Sequence, residues 1–154
     1  MKLVLCALSL LALAPTSAMA LELTLTCQGT SERTVANTAF GSVNGTHGSA
    51  SGTFTSLERR EGSESFRVAI ADTTGRIQVP RRLLPPLHSG GEDGWWPLTD
   101  VKVSDTEIRA HYTLNPFNHP EIRIDRVAGT ISIDGYRQSL RGACEAVDPN
   151  ARKF

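Results

Sequence analysis

TEIRAHYTLNPFNHPEIRIDRVAGTISIDGYRQSLRGAC, residues 106–144, decides the fold. Within it Ile108, Ala110, Tyr112 and Leu114 alternate with Glu107, Arg109, His111 and Thr113, a period of two that places the apolar set on one face of an extended strand. The alternation returns twice after short turns, with Ile122 and Ile124 set against Glu121, Arg123 and Asp125, then Ile131 and Ile133 against Thr130, Ser132 and Asp134. Strands with one face on a core and the other in water belong to antiparallel sheets. The stretch therefore predicts a meander of half-buried strands.

Upstream, residues 98–103 add a strand with Val101 and Val103 inward, followed by a Ser104-Asp105 turn. Phe66, Val68 and Ile70 alternate with small or charged residues, Asp72-Thr73-Thr74-Gly75 turns the chain, and Ile77 and Val79 continue, which together read as a hairpin ended by Pro80. Residues 21–27 form a strand with Leu21, Leu23, Leu25 and Cys27 in phase. Residues 29–62 differ: they are rich in Gly, Ser, Thr, Ala and Asn, and their few large apolar residues are Val35, Phe40, Val43, Phe54 and Leu57. This segment is weakly specified, and it predicts two short strands, near 34–40 and 53–56, joined by a mobile GSVNGTHGSASG. No helix-period apolar stripe occurs after residue 20. The expected fold is all-β, a single antiparallel meander of about eight to ten strands closing into a small barrel or a sandwich and stapled by one disulfide.

The chain opens MKLVLCALSLLALAPTSAMA. A lysine, an apolar run too short to span a bilayer, a proline and Ala18-Met19-Ala20 read as a cleavable secretory signal, residues 1–20, leaving a single β-domain over 21–154. Export implies a periplasmic or secreted protein with no membrane insertion after cleavage. The full chain balances 16 basic against 16 acidic residues, and the leader carries Lys2 and no acid, so the mature net charge is −1. Such a balance draws no polyanion over long range, and no nucleic-acid partner is expected. Cys6 leaves with the leader. Cys27 and Cys144 then remain as an even pair in an oxidising compartment, in phase with the inward faces of the first and last strands, and are expected to be bonded.

Residues 80–97, PRRLLPPLHSGGEDGWWP, hold four prolines and both tryptophans. This loop is longer than an ordinary connection and too apolar to be left in water. It reads as a lid over one end of the β-domain, or as a ligand-binding mouth in which a tryptophan face and Arg81 or Arg82 meet a partner. Trp95, Trp96, Arg81, Arg82 and His88 are therefore candidate contact residues. Arg126 joins them because it continues the inward phase of Ile122 and Ile124, so its guanidinium must either find a partner or leave the core at the strand's end.

Chemistry-bearing patterns are sparse. The histidines, His47, His88, His111 and His119, lack metal-ligand spacing, although His111 and His119 are near enough in sequence to share a site. His88, Ser89, Glu92 and Asp93 are neighbours in a glycine-rich loop, where triad geometry is rarely held. Asp125 and Asp134 fall on the solvent phase of their strands. The glycine-rich stretch has no Gly-Lys-Ser/Thr, and Ala50 occupies the centre of Gly48 to Gly52 where a nucleophile elbow has serine. No cofactor and no catalytic residue is assigned on these grounds.

The segments GRIQVPRRLLPPLH, GWWPLTDVKVSDTEI, IDRVAGTISI, GAC and RKF, spread over 66–154, resemble a group of small exported β-rich proteins of alphaproteobacteria. In that pattern an Ile-Asp-Arg-x-x-Gly hairpin, here Ile124 to Gly129, precedes a Gly-x-Cys, here Gly142 to Cys144; an aromatic is common where this chain has Leu140. The resemblance implies architecture and export and brings no activity with it. The function expected from the sequence is that of a non-catalytic periplasmic binding or accessory protein whose partner is an envelope protein or a small ligand. An inhibitor or partner of a cell-envelope enzyme is the second expectation, and a hydrolase with an unrecognised site the third.

Overall fold

The computed structural model describes residues 21–148. The expected leader at 1–20 and its cleavage site lie outside them. Nine antiparallel strands form one sheet: β1 (Glu22–Gly45), β2 (Gly48–Ala71), β3 (Thr74–Gln78), β4 (Trp95–Pro97), β5 (Thr99–Val103), β6 (Glu107–His111), β7 (Glu121–Asp125), β8 (Thr130–Gly135) and β9 (Gln138–Ala146). Their order across the sheet is β4-β3-β2-β1-β9-β8-β7-β6-β5, so two runs of sequential hairpins meet where the first strand pairs with the last. The sheet is not closed by strand pairing. Its two edge strands, β4 and β5, are nevertheless consecutive in the chain, with only Leu98 between them; that residue is buried and donates its N–H to Gly75 O at 2.8 Å.

The alternating residues of the meander bury as their phase dictates. Ile108, Ala110, Tyr112, Leu114, Ile122, Ile124, Ile131, Ile133 and Leu140 all lie in the core beside Leu25, Phe66, Val68, Ile70 and Ile77. Each large apolar side chain removed from water contributes about 1.5–3 kcal/mol before chain entropy is charged against it. On the outer face Glu107, Arg109, Arg123 and Glu121 join in ion pairs of 2.6 to 3.4 Å. Asp125 caps the turn after β7 by accepting from the Val127 and Ala128 N–H groups, and Asp134 pairs with Arg141, so the two carboxylates do separate work. Val103 departs from its expected phase: it is exposed, because β5 is an edge strand with a register shift between Thr99 and Lys102.

Cys27 and Cys144 are bonded, directly opposite each other on β1 and β9 with Cα atoms 4.1 Å apart. Two residues along, Gly29 faces Gly142, and here the strands approach so closely that a Cβ on Gly29 would lie 2.5 Å from Arg141 O. A Cβ on Gly142 would run into the carbonyl of Gln28. Glycine at both positions is what lets the first and last strands meet.

The largest correction concerns residues 29–62. In place of two short strands and a mobile connection, β1 and β2 run 24 residues each and pair without interruption from Glu22↔Ala71 to Gly45↔Gly48. A two-residue turn, Thr46-His47, closes the hairpin, with Gly48 at φ 142°. β9 covers β1 only as far as Arg33, and β3 covers β2 only from Val68 to Ala71. Beyond its root the ribbon leaves the body as an arm, paired only with itself among the described residues. No Asp, Glu, Lys or Arg occurs from 34 to 57, and Phe40 and Phe54 stand 75% and 63% exposed. With neither face buried, the arm had no reason to show the apolar alternation that marks the other strands.

Candidate functional site

The arm's root is tied to the body by polar side chains. Ser31 is buried within the hairpin and donates to Gly62 O and Glu64 Oε1 at 3.1 and 3.0 Å. Arg82 crosses the same place, pairing with Glu64 at 3.3 Å and donating to Glu61 O at 3.4 Å, with its guanidinium against Gly62. Arg33 reaches the other way and donates to Leu84 O at 2.8 Å and Arg82 O at 3.3 Å. At the tied end of the arm, Glu58 accepts from Asn37 and Arg60, and the Arg60 guanidinium holds its carboxyl below the usual carboxylate range.

These contacts frame a cleft of about 570 Å³ at the root of the arm. Four pieces of chain line it: residues 33–36 of β1, the proline loop 85–87, the turn 115–118, and the connection 136–138 that enters β9. Each wall is hydrogen-bonded to the next. Thr34 N donates to Arg137 O at 2.9 Å, Tyr136 N to Asn118 Oδ1 at 3.2 Å, Asn115 Nδ2 to Leu87 O at 3.1 Å, and Arg33 closes the ring on Leu84. Local chemistry makes the turn: Asn115 Oδ1 accepts the Phe117 N–H, and Asn115 and Asn118 form an isolated bridge. Phe117 and Leu87 are thereby held 90% and 83% exposed at the rim, beside an exposed Tyr136. A volume of this size, with apolar walls and a few polar groups, has the form of a largely preformed ligand site.

The charge on the cleft is of one sign. Arg33 and Arg137 line it and no carboxylate does. The Arg137 guanidinium carbon lies 5.9 Å from the centre of the Tyr136 ring, and Arg137 makes no ion pair among the described residues. Gln138, 6% exposed, has a buried Nε2 with no hydrogen-bond partner among the described residues.

The residues singled out from sequence do not form one surface. Trp96 is buried at 4% exposure, donates from Nε1 to Ser89 O at 3.1 Å and packs on Gly91. With Leu83 and the partly buried Leu84 it does the work of a lid. Trp95 is half-buried, and Arg76 lies 4.8 Å over its ring, so that face already has a cation on it. A second hollow, of about 480 Å³, opens beside Trp95 among Arg76, Glu92 and Asp93, with both signs of charge. His88 meets Trp96 at a ring separation of 6.0 Å and bonds Pro85 O through Nδ1. Arg81 is exposed in a short 3-10 turn, Arg81–Leu83, and Arg82 serves the arm's root. The expectation that 80–97 is all loop is corrected by β4, which recruits both tryptophans into the sheet opposite Gln78 and Ile77.

Arg126 does not continue the inward phase. β7 ends at Asp125, Arg126 is exposed in the following turn, and its guanidinium bonds Ser104 O. His119 contacts Thr113 Oγ1 and Pro116 O through its two ring nitrogens, within its own turn. Among the described residues no group of three or more His, Cys, Asp or Glu is arranged to hold a metal ion. Phe117, Tyr136 and Arg137 sit in connections, where alternation says nothing, and Gln138 is a polar residue at the very start of β9. The available signal was a large aromatic in each of two tight turns whose backbone needs none.

No protein-family model matches the chain, and neither curated proteins nor solved structures give a match.

Proposed function

We propose that this chain is an exported, non-catalytic binding protein that holds a protein partner of the cell envelope in the arm-root cleft. The observation that carries the reading is the ring of four walls, each hydrogen-bonded to the next, around an apolar cleft with exposed aromatics at its rim. Pre-organisation of this kind lowers the ordering cost of binding. Arginine, tyrosine and phenylalanine are enriched at protein interfaces. Export is supported by the leader pattern and by the disulfide, which suits an oxidising compartment. The contact surface assigned to the tryptophan loop on sequence grounds moves, in this reading, to the root of the arm.

The test compares variants in cells. Formaldehyde crosslinking of the wild type and of Trp95→Ala is expected to give the same discrete adducts, and Phe117→Ala combined with Tyr136→Ala is expected to lose them. Adducts lost with Trp95→Ala and kept by the double variant would return the site to the tryptophan loop. Sequencing of the periplasmic protein is expected to begin at Leu21; an intact Met1 would remove the export half of the proposal.

A further inference from the structure

Strand order gives the partner a direction, an inference that rests on the binding reading above. We propose that the arm-root cleft receives the C-terminal carboxylate of an extended polypeptide, which adds as a strand to the free edge of β1.

β9 is antiparallel to β1 and begins at the root, with Gln138 opposite Arg33. Thr34 N–H still points to that side, since it donates to Arg137 O. Farther out, no strand among the described residues pairs with β1 on this side. Successive residues of a strand direct their backbone groups to opposite sides, so Ala36, Thr38, Phe40 and Ser42 present N–H and C=O to the unpaired edge. A strand laid antiparallel along them runs from the arm's tip to its root, in line with β9. Its last residue then arrives at Arg137 and Gln138.

The chemistry waiting there suits a carboxylate. Two guanidinium groups line the cleft and no carboxylate does. Glu32 faces both from the adjoining hollow, where Arg59 pairs with it at 3.9 Å. Arg33 already donates from Nη1 to Leu84 O, and Arg137 makes no ion pair among the described residues. Gln138, whose buried Nε2 has no hydrogen-bond partner among the described residues, lines the same cleft. A carboxylate only accepts hydrogen bonds, and its pairing with arginine is the strong, charge-assisted kind. Beside these groups, Pro86, Leu87 and Phe117 form a wall for the side chain of the terminal residue, which is expected to be apolar. The arm carries no charge from 34 to 57, so a strand along it is expected to be uncharged as well. A lipid surface fits less well, because unpaired backbone edges do not enter hydrocarbon.

The experiment uses the disulfide-bonded protein recovered from the periplasm and two displayed libraries of random ten-residue peptides, one with free C-termini and one with C-termini blocked by fusion. Enrichment confined to the free-terminus library, with apolar last residues, is the expected result. The synthetic free acid of an enriched peptide is expected to bind Arg137→Gln about tenfold more weakly than wild type, equivalent to about 1.4 kcal/mol, while its amide binds both proteins alike. Enrichment in both libraries, or equal affinity of acid and amide, overturns the carboxylate assignment and leaves the cleft a polypeptide site. Sedimentation of the protein alone covers the remaining occupant: a dimer abolished by Tyr136→Ala, with no peptide enriched, gives the cleft to a second copy and overturns the proposal. No enrichment and no dimer overturns the polypeptide-binding reading itself.

Discussion

Arg33 Nη1 and Leu84 O are joined by a 2.8 Å hydrogen bond across the root of the arm, between residues 51 apart in sequence. The bond does two things: it anchors a two-stranded ribbon that would be marginal in isolation, and it fixes the proline loop as one wall of the cleft.

Replacing Arg33 with Met keeps the stem and removes the donors. The Leu84 carbonyl then loses a charged partner, and urea unfolding is expected to show a loss of about 1.5–3 kcal/mol, the usual range for a hydrogen bond to a charged group. An unchanged midpoint would mean that the arm and the loop are held together by other contacts.

The tryptophans are expected to separate in the same assay. Trp96→Ala removes a buried ring with a satisfied N–H and is expected to cost about 3–5 kcal/mol. Trp95→Ala removes a half-buried ring under Arg76, worth about 0.5–1 kcal/mol at an exposed site. Equal midpoints for the two variants would contradict the lid.

Much of this fold was legible because its strands are buried on one face. Ile108, Ile124 and Ile133 announce their strands by alternation, and Cys27 and Cys144 share an inward phase that put them on neighbouring strands. The arm was not legible, because alternation records burial, and Phe40 and Phe54 are exposed, buried by nothing among the described residues. The cleft was illegible for a different reason. It is assembled from residues as far apart in sequence as Arg33, Leu87, Phe117 and Arg137, which only the folded chain brings to one place. Arg126 leaves the core at the strand's end, one of the two outcomes its phase allowed, because β7 stops at Asp125.

The junction of first and last strands gives a third prediction. Free-thiol labelling of the unreduced, denatured protein is expected to find no thiol at Cys27 or Cys144, and replacing both by Ser to cost about 2–5 kcal/mol. Gly142→Ala keeps the disulfide cysteines but forces a Cβ against the Gln28 carbonyl, and is expected to cost about 1–3 kcal/mol, as overpacking does. A Gly142→Ala protein of wild-type stability would show that β1 and β9 lie farther apart than described.

Tyr112 provides a pH prediction. Burial pushes its phenol well above the ordinary tyrosine range, so the folded protein keeps the proton. The unfolded chain releases it near pH 10. Above that pH the folded state binds more protons than the unfolded state, and stability falls as pH rises. Tyr112→Phe is expected to remove this part of the alkaline loss. Its hydroxyl has no partner among the described residues, so the substitution is expected to cost little at neutral pH. Identical alkaline unfolding profiles for the two proteins would contradict the assignment.

The central claim, that partners meet this protein at the root of its arm, is tested most directly by placing a photoreactive phenylalanine analogue at Phe117 or at Trp95 and irradiating intact cells. The account predicts discrete protein adducts from position 117, lost when Tyr136→Ala is added, and none from position 95. Adducts from position 95 with none from position 117 would contradict it.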